Sequence, residues 1–231
     1  MIKQCCAALV MAAVSTSALA EAPASKMTDK QKLSYLLGLN TAKSMINKDI
    51  EIDPNAFLNG MNDTFSNKKS ALSAAESNQV MVQFQASMRE KAQAKVDMQS
   101  SENIKAGKEF ITNYKKKDDV ISLDNGIVYK VIKAGTGVQP TISDSVVAHY
   151  TGKLVDGRVF DSSVQRGQPS TFPLKSVIKG WQEILPLMKV GSKWEAVIPP
   201  QLAYGERGPG GLIGPNSTLV FEIELIEIKQ P

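Results

Sequence analysis

The chain has 231 residues, 42% of them hydrophobic and 22% charged, and carries a net charge of +4 at neutral pH. This length and composition suit one large globular domain or two small ones. The longest basic run, Lys115-Lys116-Lys117, is followed directly by two aspartates. A charge-mixed surface turn is therefore favoured over a nucleic-acid-binding patch.

The first 20 residues are predicted to be a secretory signal peptide. Lys3 supplies a positive start, residues 5–14 form a short apolar stretch, and Ala18-Leu19-Ala20 gives small residues spaced for cleavage before Glu21. The alternative is a membrane anchor, but this apolar run is too short to span a bilayer comfortably.

Both cysteines of the chain, Cys5 and Cys6, lie inside this segment. The mature chain is therefore expected to have no disulfide and no cysteine metal ligand. A lipoprotein would place a cysteine directly after the cleavage motif, where Glu21 stands. No later apolar run approaches membrane-spanning length, so we predict an exported protein.

Two short helices are predicted after the cleavage site. The first has an apolar face and contains Gly38, which would permit close backbone approach; the face consists of Leu33, Leu36, Leu37 and Met45. Asp53-Pro54 is a favourable N-cap and first-turn pair for the second helix. The apolar residues of that helix are Phe57, Leu58, Met61 and Phe65.

A third, much longer helix is predicted from Ala74 to about Tyr114. Ser73 and Glu76 form a capping box at its start, no proline interrupts it, and about 40 residues would extend roughly 60 Å. Its apolar stripe is thin and consists of Val80, Phe84, Met88, Ala92 and Val96. The sequence leaves open a solvated connecting rod or one strand of a coiled coil, and the poor heptad pattern favours the rod.

The two short helices are too few to bury their own apolar faces. We therefore predict a homodimer formed through residues 27 to about 95. The predicted organisation is a signal peptide at 1–20, a helical dimerisation region at 21–73, a connecting helix at 74–118 and a second domain at 119–231.

The composition changes near residue 120, after which glycine, proline, β-branched and aromatic residues dominate. Apolar and polar residues alternate around Tyr150, Trp194 and Phe221, as in antiparallel strands covered on one face. One short helical segment, "SVIKGWQEILPLM", should stop at Pro186. The predicted fold class is α+β, with an N-terminal all-α domain, a long connecting helix and a C-terminal antiparallel sheet half-wrapped around one short helix.

The sequence offers little for nucleophilic, metal or cofactor chemistry. The single histidine, His149, should face away from Tyr150 along its strand, and no G-x-S-x-G motif is present. One histidine without a mature cysteine makes a zinc site unfavourable. The glycine-rich "GERGPGGLIG" at 205–214 lacks the Lys-Ser/Thr of a phosphate-binding loop. We therefore expect no metal and no cofactor.

Five aromatic residues come from five separate segments of the second domain: Tyr150, Phe160, Trp181, Tyr204 and Phe221. They could be its hydrophobic core or the lining of an apolar pocket. Spacing alone does not decide between the two.

Three segments, "HYTGKLVDGRVFDSS", "VIKGWQEILPLMKVGSKWEAVIPPQLAYG" and "NSTLVFEIEL", closely resemble FKBP-type peptidyl-prolyl isomerases over about residues 124–229. The helical part resembles the dimerisation domain of macrophage infectivity potentiator (Mip) proteins through "DKQKLSYLLGLN" and the long helix. The resemblance implies a homodimeric prolyl isomerase of a Gram-negative bacterium, periplasmic or associated with the outer membrane or cell surface. It also implies proline-containing polypeptides as substrates and macrolides of the rapamycin and tacrolimus type as inhibitors.

Carried over by position, the resemblance implies a pocket with Trp181 as its floor. Its walls would be Tyr150, Phe160, Phe172, Val177, Ile178 and Phe221. Asp161 would lie at one side and Tyr204 at the rim, with Leu212 and Ile213 overhanging. The catalytic roles would fall to Asp161, to the Tyr204 hydroxyl and to the backbone N–H of Ile178, which lies near a helix start.

Two positions depart from the human immunosuppressant-binding type. Ser170 stands where an aromatic residue is expected. A histidine is expected within residues 208–210, and this sequence has none around Pro209. These differences leave substrate preference and inhibitor affinity open. Asp161 could be a structural acceptor for Tyr150 or a strand, could stabilise the rotated amide, or could do both. A client-holding chaperone with incidental isomerase activity is the alternative function, and an inactive binding protein is a third.

Overall fold

The computed structural model describes residues 26–229. The signal-peptide prediction, including Cys5 and Cys6, lies outside these residues. The chain divides into two compact units between Glu76 and Ser77. Among the described residues, no helix is long and apolar enough to cross a membrane.

The first unit contains helices α1 (Asp29–Asn47) and α2 (Pro54–Phe65). The predicted cap of α2 is confirmed, because the Asp53 carboxylate accepts the backbone N–H groups of Asn55 at 2.8 Å and Ala56 at 2.9 Å. Neither helix contains a buried residue, and Phe65 is 82% exposed. The apolar faces predicted from the sequence therefore have no cover within residues 26–229.

Helix α3 runs over Ala74–Tyr114. The capping box at its start is confirmed: the backbone N–H and hydroxyl of Ser73 donate to the Glu76 carboxylate at 2.8 and 2.7 Å, and the Ser73 hydroxyl accepts the Glu76 N–H at 3.2 Å. Only Gly107 and Tyr114 are buried in this helix. Most of its length is exposed in the single chain, which is compatible both with a solvated rod and with one strand of a coiled coil.

The second unit contains one antiparallel sheet, the short helix α4 (Lys179–Ile184), and 3-10 turns at Leu174–Ser176, Leu185–Leu187 and Pro200–Leu202. Its strands are β1 (Val120–Ser122), β2 (Val128–Lys133), β3 (Ser145–Leu154), β4 (Val159–Ser162), β5 (Ser170–Pro173), β6 (Lys193–Ile198) and β7 (Leu219–Lys229). The strand order is β1-β2-β6-β7-β3-β4, and β5 pairs with β3. This arrangement confirms the predicted fold class.

A tight hairpin joins β3 to β4. Gly157 has a φ of +90°, which favours glycine because it lacks a Cβ, and the Leu154 N–H donates to the Arg158 carbonyl at 2.9 Å. The resulting register places Asp161 opposite Gly152. The turn thus brings the strand that carries Asp161 back beside β3.

The end of α3 covers part of the second face of the sheet, which the sequence analysis did not predict. Tyr114 is buried in a small cluster with Val128, Val197 and Val220. The Tyr114 hydroxyl donates a hydrogen bond of 2.8 Å to Glu195, and burial together with this bond raises the pKa of Tyr114. The last turns of the long helix therefore belong to the packed body of the second unit.

Candidate functional site

A cavity of about 280 Å³ lies beside α4 in the second unit. Its lining is Tyr150, Phe160, Asp161, Phe172, Ser176, Val177, Ile178, Trp181, Tyr204 and Phe221. These residues come from β3, β4, β5, α4, β7 and the segments between them. All but Ser176 were predicted as site residues.

Trp181 is the centre of the aromatic lining. It is 4% exposed, and its ring meets those of Tyr150, Phe172 and Phe221 edge-to-face, with centroids 5.4, 5.4 and 5.3 Å away. Such edge-to-face pairs add about 0.5–1.5 kcal/mol each beyond area burial. The rings of Tyr150, Trp181 and Phe221 are therefore both part of the core and part of the cavity wall.

The start of α4 presents a backbone donor at the cavity. Ile178 is the N-cap residue, and its carbonyl accepts the N–H groups of Trp181 at 2.9 Å and Gln182 at 3.2 Å. The Ile178 N–H makes no hydrogen bond within residues 26–229. A helix start leaves such donors without intrahelical partners, so this N–H is available to a ligand carbonyl.

Asp161 belongs to a polar network at the side of the cavity. Its carboxylate accepts hydrogen bonds from the Tyr150 hydroxyl and from the Arg166 guanidinium. The same guanidinium donates to the Tyr150 hydroxyl at 2.9 Å and to the Ser170 hydroxyl at 3.3 Å. Arg166 was not predicted, because a single arginine in a loop leaves no periodic signal. Ser170, which replaces the expected aromatic residue, is one of its partners.

The network sets the charge of Asp161. Partial burial by itself raises the pKa of Asp161, but the hydrogen bonds from Tyr150 and Arg166 outweigh it and hold the pKa below its usual range. Burial and the bond to Asp161 raise the pKa of Tyr150. Tyr150 is therefore a neutral donor and Asp161 a charged acceptor near neutral pH.

This arrangement predicts a pH dependence at the acid end. Because the folded-state pKa of Asp161 is depressed, its contribution to stability is present above the unfolded-state pKa and is lost as pH falls through the folded-state value. The Tm difference between the unaltered protein and Asp161→Asn should be constant from pH 7 to about pH 5 and shrink in more acidic solution. A difference that stayed constant down to the acid transition would contradict the ionised network.

The remaining predicted site residues lie elsewhere or at the edge. Tyr204 lines the cavity and is partly exposed. Leu212 is 47% exposed and Ile213, at 8%, packs in the core, and neither lines the cavity. Pro209 is exposed in the same loop.

The hydroxyl nearest to His149 belongs to Ser163, which has a structural role. Its Nδ1 lies 3.1 Å from the Ser163 hydroxyl, but that hydroxyl is fully buried and accepts the Tyr150 N–H at 2.8 Å. Ser163 thus fixes strand β3 and is not available as a nucleophile.

Comparisons with known proteins identify the family of this chain. The family model described as FKBP-type peptidyl-prolyl cis-trans isomerase matches residues 136–226, and the domain amino-terminal to it matches residues 30–131. The chain therefore belongs to the FKBP-type peptidyl-prolyl cis-trans isomerase family. The predicted family and enzyme class are confirmed.

Several relatives match nearly the whole chain. The peptidyl-prolyl cis-trans isomerase Mip of Coxiella burnetii is 46% identical over 88% of this chain and 88% of its own length. The outer membrane protein MIP of Legionella longbeachae is 42% identical over 97% and 96%. The crystal structure of FkpA from Escherichia coli is 40% identical, covers 88% of this chain and 98% of its own, and has a TM-score of 0.74.

Proposed function

We propose that this isomerase accelerates rotation about Xaa-Pro bonds of exported proteins by binding the twisted amide in the cavity around Trp181. The observation that supports this most is the aromatic lining, with Trp181 against three other rings. Resonance opposes rotation by about 18–20 kcal/mol, and the reaction breaks no bond. The site therefore needs shape and polarity rather than a nucleophile.

The apolar lining favours the twisted amide over the planar one. Twisting removes resonance and lowers the polarity of the carbonyl, so the planar state loses more on leaving water than the twisted state. This is differential binding of the transition state. A barrier lowered by about 5 kcal/mol would correspond to a rate increase on the order of 10³ to 10⁴.

Two polar groups orient the peptide in this proposal. The Ile178 N–H and the Tyr204 hydroxyl donate to substrate carbonyls. Asp161 has no proton to remove in this reaction, and Tyr150 and Arg166 already hold its carboxylate. Its role is to fix Tyr150 and to keep a charge beside the rotating amide.

Refolding of a protein limited by a prolyl bond tests this function. The uncatalysed slow phase lasts tens of seconds or longer at 25 °C. We expect catalytic amounts of the chain to shorten that phase without changing its amplitude, because an enzyme alters the rate and not the equilibrium. A slow phase whose rate did not change would contradict the proposal.

We also propose a homodimer formed through residues 27 to about 95. The uncovered apolar side chains of the first unit include Leu33, Leu36, Leu37, Leu58 and Phe65. Full burial of each such side chain is worth about 1.5–3 kcal/mol, so a second copy of the same face can supply a stable interface. In this proposal the dimerisation region is 21–73, the connecting helix 74–118 and the isomerase domain 119–231.

A second function, holding of unfolded clients, is favoured by the further apolar residues exposed on α3, such as Val80, Met81 and Val82. A variant that begins at Met98 lacks residues 27–95 and the exposed Val80, Met81 and Val82. It keeps the end of α3 that packs on the sheet and on the loop near Asn216. We expect it to be monomeric in sedimentation and to lose suppression of client aggregation. Its isomerisation of a short peptide should stay within about twofold. A dimeric variant, or one that protects clients fully, would contradict these assignments.

We propose that the protein lies in the periplasm. The alternative is association with the outer membrane or the cell surface. The predicted signal peptide and the outer-membrane name of the Legionella longbeachae relative support export. We propose rapamycin-type macrolides as ligands of the same cavity.

A further inference from the structure

The loop that follows Tyr204 is closed on itself by one backbone hydrogen bond. The Asn216 N–H donates to the carbonyl of Gly205 at 2.8 Å, and Gly205 is the residue directly after Tyr204. Asn216 has a φ of +52°, a left-handed conformation that asparagine tolerates better than most residues. Gly205 is thus held from two sides, because its own N–H also donates to the Pro200 carbonyl at 2.9 Å.

Helix α3 holds the far end of this loop. The Asn216 side-chain amide donates to the Ser100 hydroxyl at 2.7 Å. The Asn103 side-chain amide donates to the Pro215 carbonyl at 2.7 Å and lies 3.4 Å from the Ser217 hydroxyl. These partners are partly buried and more than a hundred residues apart in the chain. They connect the helix to the loop at two neighbouring residues.

The backbone of α3 also comes close to the chain just after the loop. A Cβ at Gly107 would collide with the side chain of Thr218, and Gly107 is buried. Helix and loop are thus packed together one turn beyond the hydrogen bonds of Ser100 and Asn103. The contact is a continuous face of α3 and not an isolated side-chain bond.

We propose that Ser100, Asn103 and Asn216 are positioning residues for the isomerase reaction. Asn216 donates two hydrogen bonds, one to the Ser100 hydroxyl and one to the Gly205 carbonyl, and these link α3 to the residue beside Tyr204. They fix the Tyr204 hydroxyl at the cavity rim. This inference rests on the proposed function of Tyr204, and it makes the long helix part of the active-site architecture.

The test is a double-mutant cycle. The double substitution Ser100→Ala/Asn103→Ala is made both in the unaltered chain and in Tyr204→Phe. Ser101→Ala, which changes the exposed neighbouring serine, is the matched control. In the protein that keeps Tyr204, we expect the double substitution to lower kcat/KM on a short Xaa-Pro peptide about fivefold. This corresponds to about 1 kcal/mol less stabilisation of the transition state. In Tyr204→Phe the same pair should have less than about a twofold effect.

Equal losses in both backgrounds, or no loss in either, would overturn the proposal. Asn216→Gly tolerates the positive φ and removes only the side chain, so it repeats the test if the double variant does not fold. NMR signals of the Tyr204 ring and amide exchange of residues 205–213 give a readout that does not need turnover. Faster exchange and a shifted ring signal support the coupling even if the unaltered protein proves inactive, and unchanged spectra overturn it.

Discussion

Replacing Asp161 with leucine is expected to lower kcat/KM by about ten- to a hundredfold while the fold survives. The substitution removes the acceptor of the Tyr150 hydroxyl and leaves the Arg166 guanidinium without its carboxylate. Both effects reach the cavity, because Tyr150 lines it. Turnover of a short Xaa-Pro peptide, measured by NMR exchange, gives the rate.

Thermal unfolding provides the necessary comparison. The side chains of Asp161 and Arg166 are 43% and 44% exposed, and an exposed ion pair contributes about 0–1 kcal/mol to stability. The Tm at neutral pH should therefore fall by no more than about 2–4 °C. Asp161→Asn, which keeps the size and one acceptor oxygen, is expected to lose less activity than Asp161→Leu. A folded Asp161→Leu with an unaltered rate would leave Asp161 a purely structural residue.

The second large effect is expected at Gly152, on the strand beside the cavity. An added Cβ would lie 2.5 Å from Phe160 Cζ and 2.8 Å from Phe221 Cε1, so Gly152→Ala must displace two cavity walls. Overpacking of this kind costs about 1–3 kcal/mol. We expect a lower Tm and a kcat/KM reduced on the order of tenfold, because the rings that would surround the twisted amide move.

Gly60→Ala is the matched control for Gly152→Ala. It adds the same methyl group to a helical site where nothing lies within 4 Å, and alanine is favoured over glycine in a helix. Its turnover of a short peptide should stay within about twofold of that of the unaltered protein, because Gly60 lies on α2 and does not line the cavity. Gly152→Ala with unchanged Tm and KM would show that Phe160 and Phe221 do not confine the substrate.

Local features of the fold could be predicted from the sequence because short-range chemistry determines them. The caps at Asp53 and Ser73 and the turn at Gly157 each depend on a few neighbouring residues. The strands could be predicted for the same reason. Apolar and polar residues alternate along each strand because one of its faces meets the core.

Contacts between distant segments could not be predicted in this way. Tyr114 packs on Val128, Val197 and Val220, but at the end of a polar helix it gives no signal of what it meets. Nothing near Asn216 in the sequence points to Ser100 either. Such contacts depend on how the elements pack, which periodicity does not contain.

The candidate site was predictable through resemblance rather than through spacing. Trp181 and its neighbouring rings line the cavity, as the resemblance implied. The overhanging Leu212 and Ile213 do not, because one is exposed and the other packs into the core. Arg166 was not predicted, because its role depends on three hydrogen bonds that its side chain donates across a loop.

The central claim is that the cavity around Trp181 accelerates prolyl rotation. Its most direct test is NMR exchange of a short Ala-Xaa-Pro-Phe peptide with catalytic amounts of the mature protein, with and without rapamycin, while the Trp181 indole signal reports occupation of the cavity. We expect accelerated exchange that rapamycin suppresses as the indole signal shifts. Exchange that stayed uncatalysed with folded protein, or stayed accelerated with the cavity occupied, would contradict the claim.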